Sequence, residues 1–336
     1  ERAQELAPNQ PETEIAVGMS LYWSETDNER TLSYFQTILQ RFPNQTILHL
    51  YIALTHRRLG NWESVIEHLN NALELDPLNS NHYLELTWNF WMMRDYDEAQ
   101  ATLDELRELK PNTSIPFSFD YNISISRDGT LDIFEEYWNR LRPADLAVEE
   151  PLLWGYYNYL KRNWKEANRG YKNSDYETFR NDEARYLLTD FFIGLTYDRM
   201  GNQAEANRYY EVAREHLEKL TDEHPNEPRY RTALGRVYAR LGMDEKAIHE
   251  GERATELTPF SQNANAGSYF EFQLAEIYAW TGHEEKAIDK LEFALSVPSH
   301  AHRNWIALHP RWDPLRDNPR FQALIAGEDE PYLKDL

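Results

Sequence analysis

Three stretches near the start of the chain share one pattern of apolar and polar residues. Each has apolar side chains three or four positions apart, as on one face of a helix, and each closes at a proline: FQTILQRFP at Pro43, LNNALELDP at Pro77 and LDELRELKP at Pro111. Successive prolines are 34 residues apart, and so are Trp62 and Tyr96. The pattern predicts amphipathic helices that recur with a 34-residue period.

The pattern returns in the second half of the chain with some drift in length. IGLTYDRMGNQAEANRYYEVA, ALGRVYARLGMDEKAIHEGERATELTP and LAEIYAWTGHEEKAIDKLEFALSVP align position by position. Small residues at Gly194, Gly235 and Ala275 are expected to let a neighbouring helix approach closely. Glycines are expected to end the first helix of a pair in the left-handed conformation, at Gly60, Gly201, Gly242 and Gly282.

These residues resemble the tetratricopeptide repeat, which has two antiparallel helices in each 34-residue unit and a proline after the second. The resemblance implies an all-α fold. It would be a right-handed superhelical solenoid of about eight antiparallel helix pairs, closed by a C-terminal capping segment. The low glycine count, 13 residues, agrees with helices rather than with the many tight turns of a β-sandwich or barrel.

The repeats divide the chain into five segments. We expect a remnant or cap helix at 1–11, three regular units at 12–113, two divergent units at 114–186, three units at 187–297 and a capping segment at 298–336. The first segment looks like the tail of a second helix without its partner, so the chain is expected to be the C-terminal piece of a longer protein; the alternative is a short natural cap. In the last segment, Asn318 and Pro319 predict the start of a short helix. Its apolar residues should cover the last repeat.

A narrower resemblance involves HPRWDPLRDNPRFQALI, EGERATELTP and LELTWNFWMMRDYDEA. Together with the repeats, these segments look like the C-terminal tetratricopeptide region of bacterial multidomain signalling proteins. In that group the array follows a cyclase, a winged-helix regulator or a kinase. The resemblance implies a sensory or docking segment with a fused N-terminal effector domain. Its place would be the cytoplasm or the periplasm of a bacterium, with the cytoplasm favoured.

Charge and composition narrow the function classes. The 336 residues include 57 acidic and 35 basic side chains, a formal net charge of −22. Such a surface repels phosphate backbones and anionic lipid, so we expect no nucleic-acid partner. No run of about 18 apolar residues occurs, and direct membrane insertion of this segment is not expected. There is no cysteine.

Candidate chemistry is sparse. The sequence contains no glycine-rich phosphate loop and no His-Arg-Asp catalytic triplet, so we expect neither an enzyme nor a cofactor. His300 and His302 form a His-x-His pair close to His309. Because the pair falls at a predicted helix start, where exposed histidines are commonplace, we expect no metal site.

The tetratricopeptide resemblance implies that the first helices line a concave groove. At the groove positions the sequence has mostly aromatic and arginine residues, whereas the second helices carry acids such as Glu63 and Asp97. Aromatic and arginine side chains dominate protein-recognition hot spots. The candidate ligand-binding residues are Trp23, Arg57, Arg58, Trp88, Trp91, Tyr156, Tyr159, Phe191, Arg199, Arg236, Arg240 and Trp280. For each, the alternative is a role in the core between repeats or in solvation.

The favoured function is therefore a protein–protein interaction or scaffold module that binds a peptide or partner domain in its groove. The alternative is a structural array that mediates self-association, and an enzyme is the third class. A lysine and asparagine clamp for a C-terminal carboxylate is not matched, because Leu50 and Leu54 stand at those positions.

Overall fold

A computed structural model describes residues 10–24, 27–111, 115–141, 144–175, 177–181 and 183–333. The chain forms two compact units. Unit 1 comprises residues up to 119, residues 259–267 and residues from 330 onward, and unit 2 comprises residues 120–258 and 268–329. Most of the predicted helix at 1–11 lies outside the described residues.

Unit 1 consists of consecutive helices joined by short turns. They are α1 (Pro11–Ser24), α2 (Asn28–Arg41), α3 (Thr46–Leu59), α4 (Trp62–Leu75), α5 (Ser80–Met92), α6 (Tyr96–Leu109) and the start of α7 (Ser118–Asp128). Side chains satisfy free backbone N–H groups where helices begin: the Asp27 carboxylate accepts from the Arg30 N–H at 3.0 Å, and Asp95 accepts from the Glu98 N–H. Apolar residues from α1, α2 and α3 form a buried core that includes Phe35.

Unit 2 continues the pattern of helix pairs. It contains the rest of α7, then α8 (Asp132–Leu141), α9 (Leu146–Glu149), α10 (Pro151–Leu160), α11 (Trp164–Lys172), α12 (Thr189–Arg199), α13 (Gln203–Glu223), α14 (Pro228–Arg240), α15 (Asp244–Leu257), α16 (Ala264–Trp280, from residue 268) and α17 (Glu284–Ser296). Between α11 and α12, strands β1 (Thr178–Asn181) and β2 (Tyr186–Leu188) pair antiparallel. This short ladder lies within and just after the stretch predicted as divergent repeats.

The two helices of a pair run antiparallel. The Pro151 carbonyl at the start of α10 and Gly155 in its middle lie against Gly170 near the end of α11, and Gly194 in α12 lies against Tyr210 in α13. Gly235 of α14 contacts the Ala247 carbonyl of α15 in the same way. The expected role of small residues at Gly194 and Gly235 is confirmed.

One backbone feature marks the turn inside seven pairs. A residue in the left-handed region, with φ between 59° and 78°, ends the first helix each time: Gly60, Arg94, Gly129, Arg162, Gly201, Gly242 and Gly282. The glycine ends predicted from the sequence are confirmed, and two arginines occupy the same position. These turns are 33 to 35 residues apart up to Arg162 and 39 to 41 residues apart after it.

The longer spacing in the second half comes partly from α13. This helix has 21 residues, whereas α2, α4 and α6 each have 14. Its buried residues remain three or four positions apart along the whole helix, at Ala206, Tyr210, Ala213, Leu217 and Thr221. The added length is close to two helical turns, so one face still packs inward.

The end of unit 2 is a segment that leaves the repeat pattern. This C-terminal segment, residues 303–325, contains α18 (Arg303–Leu308), a 3₁₀ helix (Pro310–Leu315) and α19 (Pro319–Ile325). Trp312, Leu315 and Phe321 are fully buried in a core that includes side chains of α16 and α17. The Asn318 side chain accepts from the Phe321 and Arg320 backbone N–H groups, which confirms the predicted helix start.

The prediction of an all-α fold built from repeated helix pairs is confirmed. Among the residues that the structure describes, no helix combines the length and the apolar character needed to span a lipid bilayer.

Candidate functional site

The twelve predicted binding residues lie on the first helices of their pairs, but they belong to different units. Five are in unit 1, on α1, α3 and α5: Trp23, Arg57, Arg58, Trp88 and Trp91. Seven are in unit 2, on α10, α12, α14 and α16: Tyr156, Tyr159, Phe191, Arg199, Arg236, Arg240 and Trp280.

In unit 1, Arg58 connects α3 to the end of α1. Its guanidinium stacks over the Tyr22 ring, with 3.6 Å from Cζ to the ring centre, and donates to the Tyr22 carbonyl. Trp23 packs edge-on against Tyr22 at 5.0 Å between ring centres. Whereas Tyr22 and Arg58 are buried, Trp23 keeps 65% of its surface exposed. The ring is therefore held by ordered neighbours and still faces solvent.

Two further contacts involve the remaining predicted residues of unit 1. Arg57 is buried and pairs with Glu85 of α5 at 2.9 Å. The rings of Trp88 and Trp91 lie 4.6 Å apart, and Trp88 also meets Phe119 edge-on. Arg57 thus connects α3 to α5, and Arg58 connects α3 to α1.

In unit 2 the predicted aromatic residues contact the C-terminal segment of the same chain. The Trp305 indole N–H donates to the Tyr156 hydroxyl at 3.0 Å. The His309 ring lies 4.3 Å from Trp305 and 5.6 Å from Tyr159, measured between ring centres. Trp280 also binds this segment, because its indole N–H donates to the Arg311 carbonyl at 2.9 Å.

Arginine side chains bind the backbone of this segment. Arg199 donates to the Pro310 carbonyl at 2.8 Å and lies 3.4 Å from the Asp313 carboxylate. Arg162 pairs with the same carboxylate at 2.8 Å. Because main-chain carbonyls and one carboxylate are the acceptors, these contacts resemble the way a groove would hold a bound peptide.

Arg236, Glu276 and Arg311 form an ion triad next to these contacts. Glu276 of α16 is 1% exposed and accepts from Arg236 at 3.1 Å and from Arg311 at 3.0 Å. The Arg236 guanidinium also lies 4.7 Å from the centre of the Phe191 ring. Such an arrangement is stable only while each charge keeps its partner, because Glu276 and Arg236 are buried and Arg311 keeps only 11% of its side chain exposed.

Arg240 completes the predicted set. It pairs with Asp198 of α12, and its guanidinium lies 5.0 Å from the centre of the Trp280 ring. The predicted residues of unit 2 therefore support each other and the C-terminal segment at once.

His309 is a titratable group that this arrangement buries. Burial, and then the nearby positive charges of Arg311 and Arg236, hold the pKa of His309 well below its usual range. The neutral ring accepts at Nδ1 from the Arg311 backbone N–H at 3.2 Å. A proton on that nitrogen would remove the acceptor.

The expectation of exposed histidines is wrong for this part of the chain. His302 immediately precedes α18 as predicted, but it is buried, as is His309. Among the described residues, no group of three or more His, Asp or Glu side chains is arranged to hold a metal ion.

Several contributing residues were not predicted from the sequence: Arg162, Glu276, Trp305, His309, Pro310, Arg311 and Asp313. Helical spacing identified which face of each first helix carries aromatic and arginine residues. It gave no signal for the segment that meets them, since Trp305 and Tyr156 are 149 residues apart.

The comparison with protein families agrees with the repeated helix pairs. The Tetratricopeptide repeat family model matches residues 199–262, which includes α13, α14 and α15. Comparison with curated proteins gives no match.

Solved structures that are similar to the chain at low identity include two of human IFIT1 and one of YrrB. The human IFIT1 dimer with m7Gppp-AAAA is 16% identical over 85% of this chain and 59% of that chain, with a TM-score of 0.41. The human IFIT1 dimer with PPP-AAAA is 15% identical, with the same coverage and TM-score. YrrB, described as a TPR protein with an unusual peptide-binding site, is 13% identical over 87% of this chain and 98% of its own, with a TM-score of 0.24. The chain spans about three fifths of the human IFIT1 chains, and none of these similarities assigns it a ligand.

Proposed function

We propose that the chain is a protein-interaction scaffold that docks a peptide or partner domain. Repeated helix pairs and the tetratricopeptide match over residues 199–262 support a scaffold. The segments that resemble the C-terminal part of bacterial signalling proteins support the further proposal that an effector domain precedes this region and responds to docking.

The docking surface is proposed to lie on unit 1, around Trp23 and Arg58. The seven predicted positions of unit 2 hold one another and the chain's own C-terminal segment, whose anchors Trp312 and Leu315 are fully buried. Displacing that segment would expose a large part of the core of unit 2.

The observation that carries the proposal is the exposure of Trp23. At 65% it is the most exposed of the large apolar side chains in the part of the chain that the structure describes. Its neighbours Tyr22 and Arg58 fix the site where the ring stands, so a partner would pay little ordering entropy to bury it. Tryptophan and arginine together are the residue types most enriched in binding hot spots.

The chemistry of these side chains suggests the kind of partner. Trp23 offers a surface for an apolar anchor, whereas Arg57 and Arg58 are buried and engaged within unit 1. We therefore expect a segment whose main contact is an apolar anchor residue.

The test is a peptide-library screen with three purified proteins: wild type, Trp23→Ala and the control Leu78→Ala. Leu78 is also highly exposed, at 57%, and belongs to the same unit. Truncating the anchor should cost on the order of 2 kcal/mol, about a 30-fold weaker Kd, for peptides that the wild type binds. Leu78→Ala should bind like the wild type.

Equal capture by all three proteins would contradict docking at Trp23. Light scattering on the same samples separates the alternative function: an oligomer that Trp23→Ala breaks into monomers would favour the self-associating array.

A further inference from the structure

Unit 1 contains a group of histidines that docking does not use. This histidine cluster consists of His49 and His56 on α3, His68 on α4 and His82 on α5. His49, His56 and His82 are buried, and His68 is partly buried. Helices α3, α4 and α5 therefore meet at imidazole rings.

The closest contact in the cluster requires that at least one of its two rings be neutral. Nδ1 of His49 lies 3.0 Å from Nδ1 of His68, a distance at which one nitrogen donates and the other accepts. A ring that is protonated on both nitrogens can no longer accept. When both rings carry a proton at Nδ1, two donors and two positive charges face each other at this distance.

The rings of His56 and His82 add to the free-energy cost of a positive charge in the cluster. His56 stacks on His68 with 5.7 Å between ring centres. Neither ring nitrogen of His82 has a hydrogen-bond partner among the residues that the structure describes. A proton on His82 would thus be a buried charge without a hydrogen-bonded acceptor.

The surroundings of all four rings lower the histidine pKa. Burial lowers the pKa of His49, His56 and His82, and burial together with the His49 and His56 charges lowers the pKa of His68 to about 4. The opposing carboxylates come from every neighbouring element: Glu29 of α2, Glu67 of α4, Asp76 in the turn before α5, and Glu85 of α5. Their attraction for a proton is smaller than the effect of burial.

We propose that the histidine cluster is an acid-sensitive switch that loosens the packing of α3 against α4 and α5 when the pH falls below the ordinary titration range of histidine. At neutral pH the rings are uncharged and pack as polar core residues. In acid they take up protons that only the opened helices can accommodate.

The direction in which pH changes the stability of the cluster follows from proton linkage. A histidine whose pKa is lowered in the folded state binds more protons when unfolded, so its contribution to stability is complete above its unfolded pKa of about 6.5 and is lost as the pH falls toward its folded pKa. For His68, the pKa of about 4 makes the opening equilibrium at pH 5 about 30-fold more favourable than at neutral pH. The other three histidines act in the same direction.

Loosening α3 has a consequence for docking, because this helix also carries Arg57 and Arg58. Acid would then disorder the neighbours of Trp23. Only this last step rests on the proposed function.

The experiment measures hydrogen exchange, peptide by peptide, at about pH 7.5 and pH 5, with labelling times corrected for the intrinsic pH dependence. It compares the wild type with His68→Gln and with the control His249→Gln, whose side chain is exposed on α15. In the wild type and in the control, exchange of α3 and α4 peptides should increase at least 30-fold more than the correction predicts. In His68→Gln that increase should fall by about 30-fold, because glutamine cannot be protonated.

Unit 2 is expected to respond to acid through His309, so the criterion is the dependence on His68. If exchange in α3 and α4 does not change between the two pH values, or increases equally in the wild type and His68→Gln, the proposal is wrong. If His68→Gln does not fold, the pH profile of the wild type and a His49→Gln variant decide in its place. A parallel experiment with micromolar Zn²⁺ at pH 7.5 tests whether the rings bind metal instead. If Zn²⁺ slows exchange in α3 and α4 of the wild type but not of His68→Gln, the cluster is a metal site and the proposed switch is wrong. Because no ligand is used, none of these results depends on docking at Trp23.

Discussion

The buried triad of Arg236, Glu276 and Arg311 allows a quantitative test of how the C-terminal segment is held. The substitution Glu276→Gln keeps the shape of the side chain and removes its charge. One carboxylate oxygen faces each arginine, at 3.1 and 3.0 Å. After the substitution, one arginine would meet an amide N–H₂ group, a second donor, and both guanidinium groups would lose their counter-charge.

The expected loss is large because little water reaches the site. The Glu276 and Arg236 side chains are 1% and 4% exposed. Removing one member of a buried ion pair costs roughly 3–5 kcal/mol, since the remaining charge stays desolvated. We expect Glu276→Gln to lose about 4 kcal/mol of the free energy of unfolding, a large fraction of the roughly 5–15 kcal/mol that a folded protein has in total.

Urea denaturation followed by circular dichroism measures this loss. The matched control is Glu256→Gln, which removes the charge of an exposed glutamate that pairs with Arg253 one turn away at 2.9 Å. An exposed pair of this kind contributes about 0.5 kcal/mol or less. A loss of under about 1 kcal/mol for Glu276→Gln, or a loss equal to that of the control, would refute the conclusion that the triad depends on mutual neutralisation.

Three other predictions follow from contacts described above. Gly170→Ala should lower the free energy of unfolding by about 1–3 kcal/mol, because the new methyl group would lie 2.6 to 2.7 Å from the backbone of α10. Gly201→Ala has open space around its new methyl group and should lower the same free energy by only about 1 kcal/mol, through the left-handed backbone. Thermal unfolding compares the two variants. Trp305→Phe deletes the hydrogen bond to Tyr156 and should cost about 1 kcal/mol, which urea denaturation measures; an unchanged midpoint would contradict it. His309→Gln should reduce the loss of melting temperature on going from pH 7 to pH 5, because the buried ring stays neutral in the folded state and takes up a proton when the chain unfolds below about pH 6.5; identical pH profiles of variant and wild type would show that the folded state does not lower the pKa of this ring.

The sequence predicted the repeats well where local backbone chemistry determines them. The glycine ends at Gly60, Gly201, Gly242 and Gly282 follow from the cost of a left-handed backbone for other residues. Arg94 and Arg162 occupy the same conformation, and no sequence rule predicted them because arginine adopts it only against a penalty of about 1–2 kcal/mol. In Arg162 the side chain binds Asp313, a contact made 151 residues away.

The candidate site shows the corresponding limit for long-range contacts. The helical period identified the faces that carry Tyr156, Arg199 and Trp280, and these side chains contact the C-terminal segment of the same chain. These contacts depend on packing between residues 31 to 149 positions apart in sequence, which no helical periodicity contains. The histidine cluster was missed because its members come from three helices, and the periodicity within one helix does not show which residues of neighbouring helices meet.

The length of α13 bears on how such arrays can be lengthened. Residues in a helix are about 100° apart, so seven added residues turn the helix by 700°, which leaves its apolar face about 20° from its original direction. Five added residues would turn the same face away by about 140°. Insertions into the second helices are therefore tolerated in steps of about two turns, and α13, with 21 residues against the 14 of α2, has the length of one such insertion. A designer who extends another second helix of this chain should add seven residues at a time.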